Sequence, residues 1–296
     1  MKKYAFILMA GLLMFASCCK NQPVKKEISV QLYSIRDVIG NPDLYAKNHV
    51  EAFEELAKMG YTSVEAACYS DGKLYGVEPE QYKADLEAAG LKSLSTHIMK
   101  GLSAEELSSG IFTESMQWWD QAIAAHKAAG CKYIVCPGFG IPGDLQGLKT
   151  YCDYFNEIGK KCAENGMAFG YHNHSHEFNK LEDQVILDYM IQNTDPNYVF
   201  FEMDVYWAVM GRAYPVEYFR TYPGRFKLLH IKDHRELGES GMVGFDAIFK
   251  NAATAGMEDF VVELEAFTNG DWKESMKMCA DYLLGSDFVK ESYPVE

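Results

Sequence analysis

Three things are scarce in this chain of 296 residues, and each scarcity removes a class of function. Basic side chains are few: 28 Lys and Arg stand against 42 Asp and Glu, for a formal charge of −14. Residues 1–18 hold two lysines and no acid, so without them the remainder carries −16. No basic cluster relieves this acidity. A chain so negative repels phosphate backbones, which excludes nucleic acid as a partner. Beyond the adjacent Cys18 and Cys19, closely spaced cysteine pairs are missing too. Cysteines 68, 131, 136, 152, 162 and 279 form no CxxC, and most sit in apolar patterns, with Cys131 and Cys136 flanking a strand. They read as buried small hydrophobes, not as a disulfide framework or a structural zinc site. Nor does GxGxxG follow QLYSIRD at residues 31–37, which argues against an open, doubly wound dinucleotide-binding sheet.

Long apolar runs are scarce as well. The stretch Ala5–Ala16 is too short to span a bilayer comfortably and follows Lys2 and Lys3, as in an export signal. It ends in Phe-Ala-Ser-Cys, residues 15–18, which resembles a bacterial lipobox. Residues 1–18 are therefore expected to be a lipoprotein signal peptide, with Cys18 the lipidated residue and 19–26 a short tether. Lys20 and Asn21 follow instead of acids, which points to an anchored periplasmic protein. The anchor would be its one membrane contact.

What is present is a repeating alternation of short β-branched runs and longer amphipathic stretches. Strands are expected at Ile28–Tyr33, Ser63–Ala66, Ser93–His97, Tyr133–Pro137, Ala168–Asn173, Tyr198–Asp204, Phe226–Ile231 and Phe260–Glu265. Helical stripes fall between them: Ala46, Val50, Phe53 and Ala57; Met116, Trp119 and Ile123; Leu148, Cys152, Phe155 and Cys162. Gly60, Gly90, Gly130, Gly166 and Gly256 are placed to end helices. A short helix at Val216–Tyr222 and a polar insert at 234–244 read as loop elaborations. Eight βα units over this length predict a single (β/α)8 TIM barrel over residues 27–287, with 288–296 as a tail.

In such a barrel the carboxyl ends of the strands share one mouth, where catalysis sits. Here those ends carry Glu65, His97, His172 with His174, Glu202 with Asp204, His230 with Lys232, and Glu263 with Glu265. Singly, each has a bland reading: a turn cap, a helix N-cap, a surface ion pair. Jointly, six of eight strands ending in ionisable groups beside apolar runs describe a site, because charge next to a core is costly unless paired or bound to a cation. Carboxylates with imidazole suit Mn2+, Mg2+, Co2+ or Zn2+.

QLYSIRD, STH at 95–97, YHNHSHEF at 171–178, MDVYW at 203–207, HIKD at 230–233 and VVELE at 261–265 together resemble the sugar phosphate isomerase/epimerase superfamily, with its xylose isomerase-like barrel. The resemblance covers residues 27–287. It implies a divalent metal held by Glu177, Asp204, His230 and Glu263, with His174 an alternative to Glu177 and Glu265 to Glu263. It also implies proton abstraction beside a carbonyl through an enediolate. His97, His172, His174, Lys232 and Glu265 are then the candidate acids, bases and oxyanion donors, and Glu65 and Trp207 candidate substrate contacts. Trp207 stands where ketose epimerases of the superfamily often carry a histidine. Export and the lack of a basic phosphate clamp favour a non-phosphorylated sugar, keto-sugar or glycoside. The expected activity is isomerisation or epimerisation. The alternatives are β-elimination from a keto-glycoside by a lyase and non-catalytic sugar binding. The superfamily's abasic-site endonucleases fit neither the acidity nor the export signal. Homo-oligomerisation is left open.

Overall fold

The computed structural model describes residues 26–293; the expected signal peptide, Cys18 and most of the tether lie outside them. Eight parallel strands close into a barrel: β1 Ser29–Gln31, β2 Ser63–Ala66, β3 Lys92–His97, β4 Tyr133–Cys136, β5 Ala168–His172, β6 Val199–Asp204, β7 Leu228–Lys232 and β8 Asp259–Glu263. The first and last strands complete the ring, Ser29 pairing with Val261 and Val30 with Val262. Every expected strand is present, with ends displaced by up to two residues. Glu265 falls just past its strand.

Inward-facing residues stack in tiers because side chains alternate along each strand. Tyr133, Val135, Phe200 and Leu228 form an apolar cluster at the lower level, separate from the main core outside the sheet. Gly170 makes room there: a Cβ on it would lie 2.4 Å from the Phe200 ring. Two residues further along each strand the inward positions become Glu65, His97, His172, Glu202 and His230. The change from apolar to ionisable thus occurs within one tier.

Helices cover the outside. The first long one, α1 (Pro42–Met59), starts at Asn41, whose side chain accepts from the Leu44 N–H, and stops at Gly60 with φ 107°. Its buried stripe is Tyr45, Ala52, Phe53, Leu56 and Met59. The expected stripe through Ala46 and Val50 is corrected, for both face solvent. Tyr45 wins the inward position because its ring buries more apolar surface and its hydroxyl donates to Asp85 at 2.9 Å. The other two expected stripes are buried or half-buried. The short helix near residue 216 spans Pro215–Thr221, and another, Val205–Met210, directly follows β6. The stretch read as a tail packs as far as it is described: Val289 and Tyr293 are buried, and the Tyr293 ring meets Phe260 edge-on. The cysteines at 68, 131, 136, 152, 162 and 279 are free thiols, and all but Cys68 are buried. Among the described residues no helix is long and apolar enough to cross a membrane.

Candidate active site

The strand ends deliver a buried network of carboxylates and imidazoles in two levels. In the lower level Glu65 Oε1 accepts from Gln31 Nε2 at 2.7 Å and from His230 Nε2 at 2.7 Å, with His97 Nε2 at 3.0 Å. Glu202 Oε2 lies 2.8 Å from His97 Nε2 and 3.1 Å from His172 Nδ1. Glu65 and Glu202 are fully buried. Burial alone would raise the Glu65 carboxyl, but His97 and His230 hold it well below the usual range. Glu202 moves the other way, raised by burial and by the charge of Glu65. Burial opposes a charge on His97, yet the two carboxylates beside it lift its pKa to about 9. His97 is thus the cation shared by two buried acids.

In the upper level Asp204, His230 and Glu263 bring three ligand-type atoms within 4.8 Å of one another. His230 Nδ1 is 3.5 Å from Glu263 Oε2 and 3.9 Å from Asp204 Oδ2. Asp204 divides its labour: Oδ1 accepts from the Trp207 N–H at 2.8 Å, capping the Val205–Met210 helix, while buried Oδ2 has no partner. His230 Nδ1 is also buried and unpartnered. Burial raises Asp204 to about 7. Two orphaned buried atoms beside the Glu263 carboxylate are the donor set a divalent cation satisfies, two oxygens and a nitrogen. The residues therefore fit such an ion, with Glu65 fixing the His230 ring from behind. Lys232 borders this level, 2.7 Å from Glu263 and 2.6 Å from Glu265, with Trp207 beside its ammonium. Burial disfavours its charge, but Glu263 and Asp204 raise its pKa.

A cavity of about 290 Å³ opens above, lined by Tyr33, His97, His172, His174, Glu263 and Glu265 among others. Burial holds His172 well below its ordinary pKa, and His174 falls to about 4 for the same reason, so both are neutral at pH 7. His174 Nδ1 is buried without a partner.

Two expected places are corrected. Glu177 is not brought to the upper cluster. Its oxygens are taken by the Tyr171 hydroxyl at 2.6 Å and the His174 N–H at 2.9 Å, so it braces the loop after β5. Glu65 cannot contact substrate, because it lies fully buried beneath His97 and His230. Trp207 reaches the rim, its ring 5.7 Å from His174. Two network members had no assigned role from sequence, Gln31 and Glu202. The signal for Glu202 was its position two residues before Asp204, on the same strand face.

The model of the xylose isomerase-like TIM barrel family matches residues 53–282. The chain belongs to that family. A crystal structure of a sugar phosphate isomerase/epimerase from Parabacteroides distasonis ATCC 8503 is 36% identical to this xylose isomerase-like barrel. It aligns over 90% of this chain and 100% of its own, with a TM-score of 0.80. The inosose dehydratase of Geobacillus kaustophilus is 27% identical over 220 residues, which are 67% of this chain and 66% of that protein, so just under two thirds of the relative is covered. The IOLI protein with a bound zinc atom shares the fold at 14% identity and a TM-score of 0.64, over 90% of this chain and 99% of its own. Like the isomerase/epimerase and the dehydratase, this barrel is an enzyme.

Proposed function

We propose that this enzyme is a divalent-metal-dependent lyase. It removes the proton beside the carbonyl of a non-phosphorylated keto-sugar or keto-glycoside and expels the β-substituent. The observation that carries the reading is the convergence of Asp204 Oδ2, His230 Nδ1 and Glu263 Oε2 in a buried mouth where the first two lack partners. A divalent cation held there supplies Lewis acidity at a carbonyl oxygen, where charge builds as the neighbouring C–H bond breaks. Neutral His174 takes the proton. The Lys232 ammonium offers N–H donors to the departing oxygen, and the Trp207 ring forms an apolar wall for a sugar face. Epimerisation needs matched proton carriers on both faces of one carbon. Elimination needs one base and one donor at different carbons, and the mouth supplies unlike groups, an imidazole beyond β5 and an ammonium on β7. The dehydratase named above supports the same outcome, since dehydration is elimination with water leaving. No lysine or arginine lines the cavity itself among the described residues. Lys232, behind the lining, is already paired with Glu263 and Glu265, so its charge is compensated. Both points favour a substrate without phosphate.

The second reading is an isomerase or epimerase, favoured by the name of the 36% identical structure. Metal-loaded and chelator-treated protein, incubated in D2O with ketoses and keto-glycosides, separates the two. Metal-dependent release of aglycone or water is the expected result. Deuterium in recovered or isomerised sugar without release supports the second reading, and no metal-dependent turnover of either kind sinks both. We also propose that the barrel works in the periplasm, tethered through lipidated Cys18. Fatty-acid labelling that survives Cys18→Ser would contradict this.

A further inference from the structure

We infer that the cation site has a second imidazole ligand, His172, so that its donors are two nitrogens and two oxygens and not one nitrogen with carboxylates. This inference rests on the metal reading above and refines it. His230 and His172 are built alike. Each ring gives one nitrogen to a fully buried carboxylate: His230 Nε2 to Glu65 at 2.7 Å, and His172 Nδ1 to Glu202 at 3.1 Å. A buried carboxylate behind an imidazole sets its tautomer and leaves the opposite nitrogen as a lone-pair donor. For His230 that opposite nitrogen is the orphaned Nδ1. For His172 it is Nε2, which makes no hydrogen bond among the described residues, on a ring that lines the mouth cavity together with Glu263. The rings stand edge-on with centroids 4.5 Å apart, and His172 and His230 offer ligand atoms within 4.8 Å of each other. His172 lies outside the Asp204–His230–Glu263 group, so its ring turns toward that group when the cation binds. Strand five thus contributes an imidazole where Glu177, held by Tyr171 and the loop backbone, contributes none. An unpartnered oxygen remains on each supporting acid, Glu65 Oε2 and Glu202 Oε1. Each acid fixes its ring from behind. Two imidazoles shift preference from Mg2+ toward Zn2+, Co2+ and Mn2+. Glu202 acts here as a positioning residue.

The test is pulsed EPR on chelator-treated full-length protein reloaded with Mn2+, counting coordinated imidazole nitrogens. Wild type is expected to show two, and His172→Gln one. Glu202→Gln is expected to keep two while weakening Mn2+ binding roughly 10- to 100-fold. A single imidazole in wild type, which needs no variant, overturns the inference alone. So does loss of the second nitrogen in His174→Gln with its retention in His172→Gln. No Mn2+ binding at all overturns the cation site and this inference together.

Discussion

The two ends of the barrel both gather charge, and they do so by opposite rules. At the amino end Lys132 lies 2.8 Å from Asp259 and 3.1 Å from Glu258, Lys227 lies 3.1 Å from Glu258, and the Tyr133 hydroxyl donates to both acids. Each acid has a lysine, and the lysines remain in contact with water. The larger cavity, about 400 Å³, opens at this end beside Lys132 and Asp259, and no histidine lines it. At the carboxyl end the acids are buried, histidines are their main partners, and Glu65, Glu202, Asp204 and His230 each keep an unpartnered atom. Cavity size therefore does not locate the chemistry. Desolvated charge left partly unsatisfied does, because a fold keeps it only where something binds.

Asp204→Asn combined with His230→Gln should break the comparison most severely. Turnover is expected to fall by roughly 10³-fold or more, measured as kcat beside a Lys132→Met control that retains it. Glu65→Gln is the next largest. It removes the negative charge behind His230 and should weaken divalent-cation binding roughly 10- to 100-fold by calorimetry, with the fold intact by circular dichroism.

Acidity should separate the ends further. Burial opposes a charge on His230, yet the carboxylates around it raise its pKa well above the ordinary value, so a cation displaces its proton at neutral and acid pH. Burial holds Asp204 near 7, so below that pH a second proton is displaced and the fall in affinity should steepen by roughly tenfold per pH unit. Titrations between pH 5 and 8 check the slope, and an equal slope in Asp204→Asn would contradict its assignment. His97 bears on stability with the opposite sense. Its folded pKa, about 9, lies above the ordinary 6.5. Its pairing with Glu65 and Glu202 is fully stabilising below pH 6.5 and is lost as pH rises through 9. Metal-free protein should therefore be less stable at high pH, by a margin that His97→Gln removes. The smallest effect belongs to the amino end, where Lys132→Met should cost about 0–1 kcal/mol in urea unfolding and leave metal affinity unchanged.

The barrel was readable in the sequence because period-two strands and glycine-stopped helices announce themselves locally. So was the set of strand ends that meets at the mouth. Depth was not readable. Alternation says which face Glu65 and Glu263 share, not that Glu65 lies beneath His97 while Glu263 reaches the cavity. That depends on strand stagger, including the register shift between Val64 and Glu65 where β2 meets β3. Glu177 misled for a related reason. It lies past the end of β5 in a 3-10 turn that swings its carboxylate back onto Tyr171, where strand geometry no longer governs direction. In α1 the stripe slipped by one residue because Tyr45 is amphipathic and its polar tip found Asp85.

The central claim is that the orphaned atoms of the carboxyl-end mouth form a divalent-cation site. Calorimetric titration of chelator-treated protein with Zn2+ and Mn2+ tests it most directly, in wild type and in Asp204→Asn/His230→Gln. One saturable site per chain in wild type and none in the double variant is the predicted result. Equal binding by the two proteins, or no binding by wild type, would contradict it.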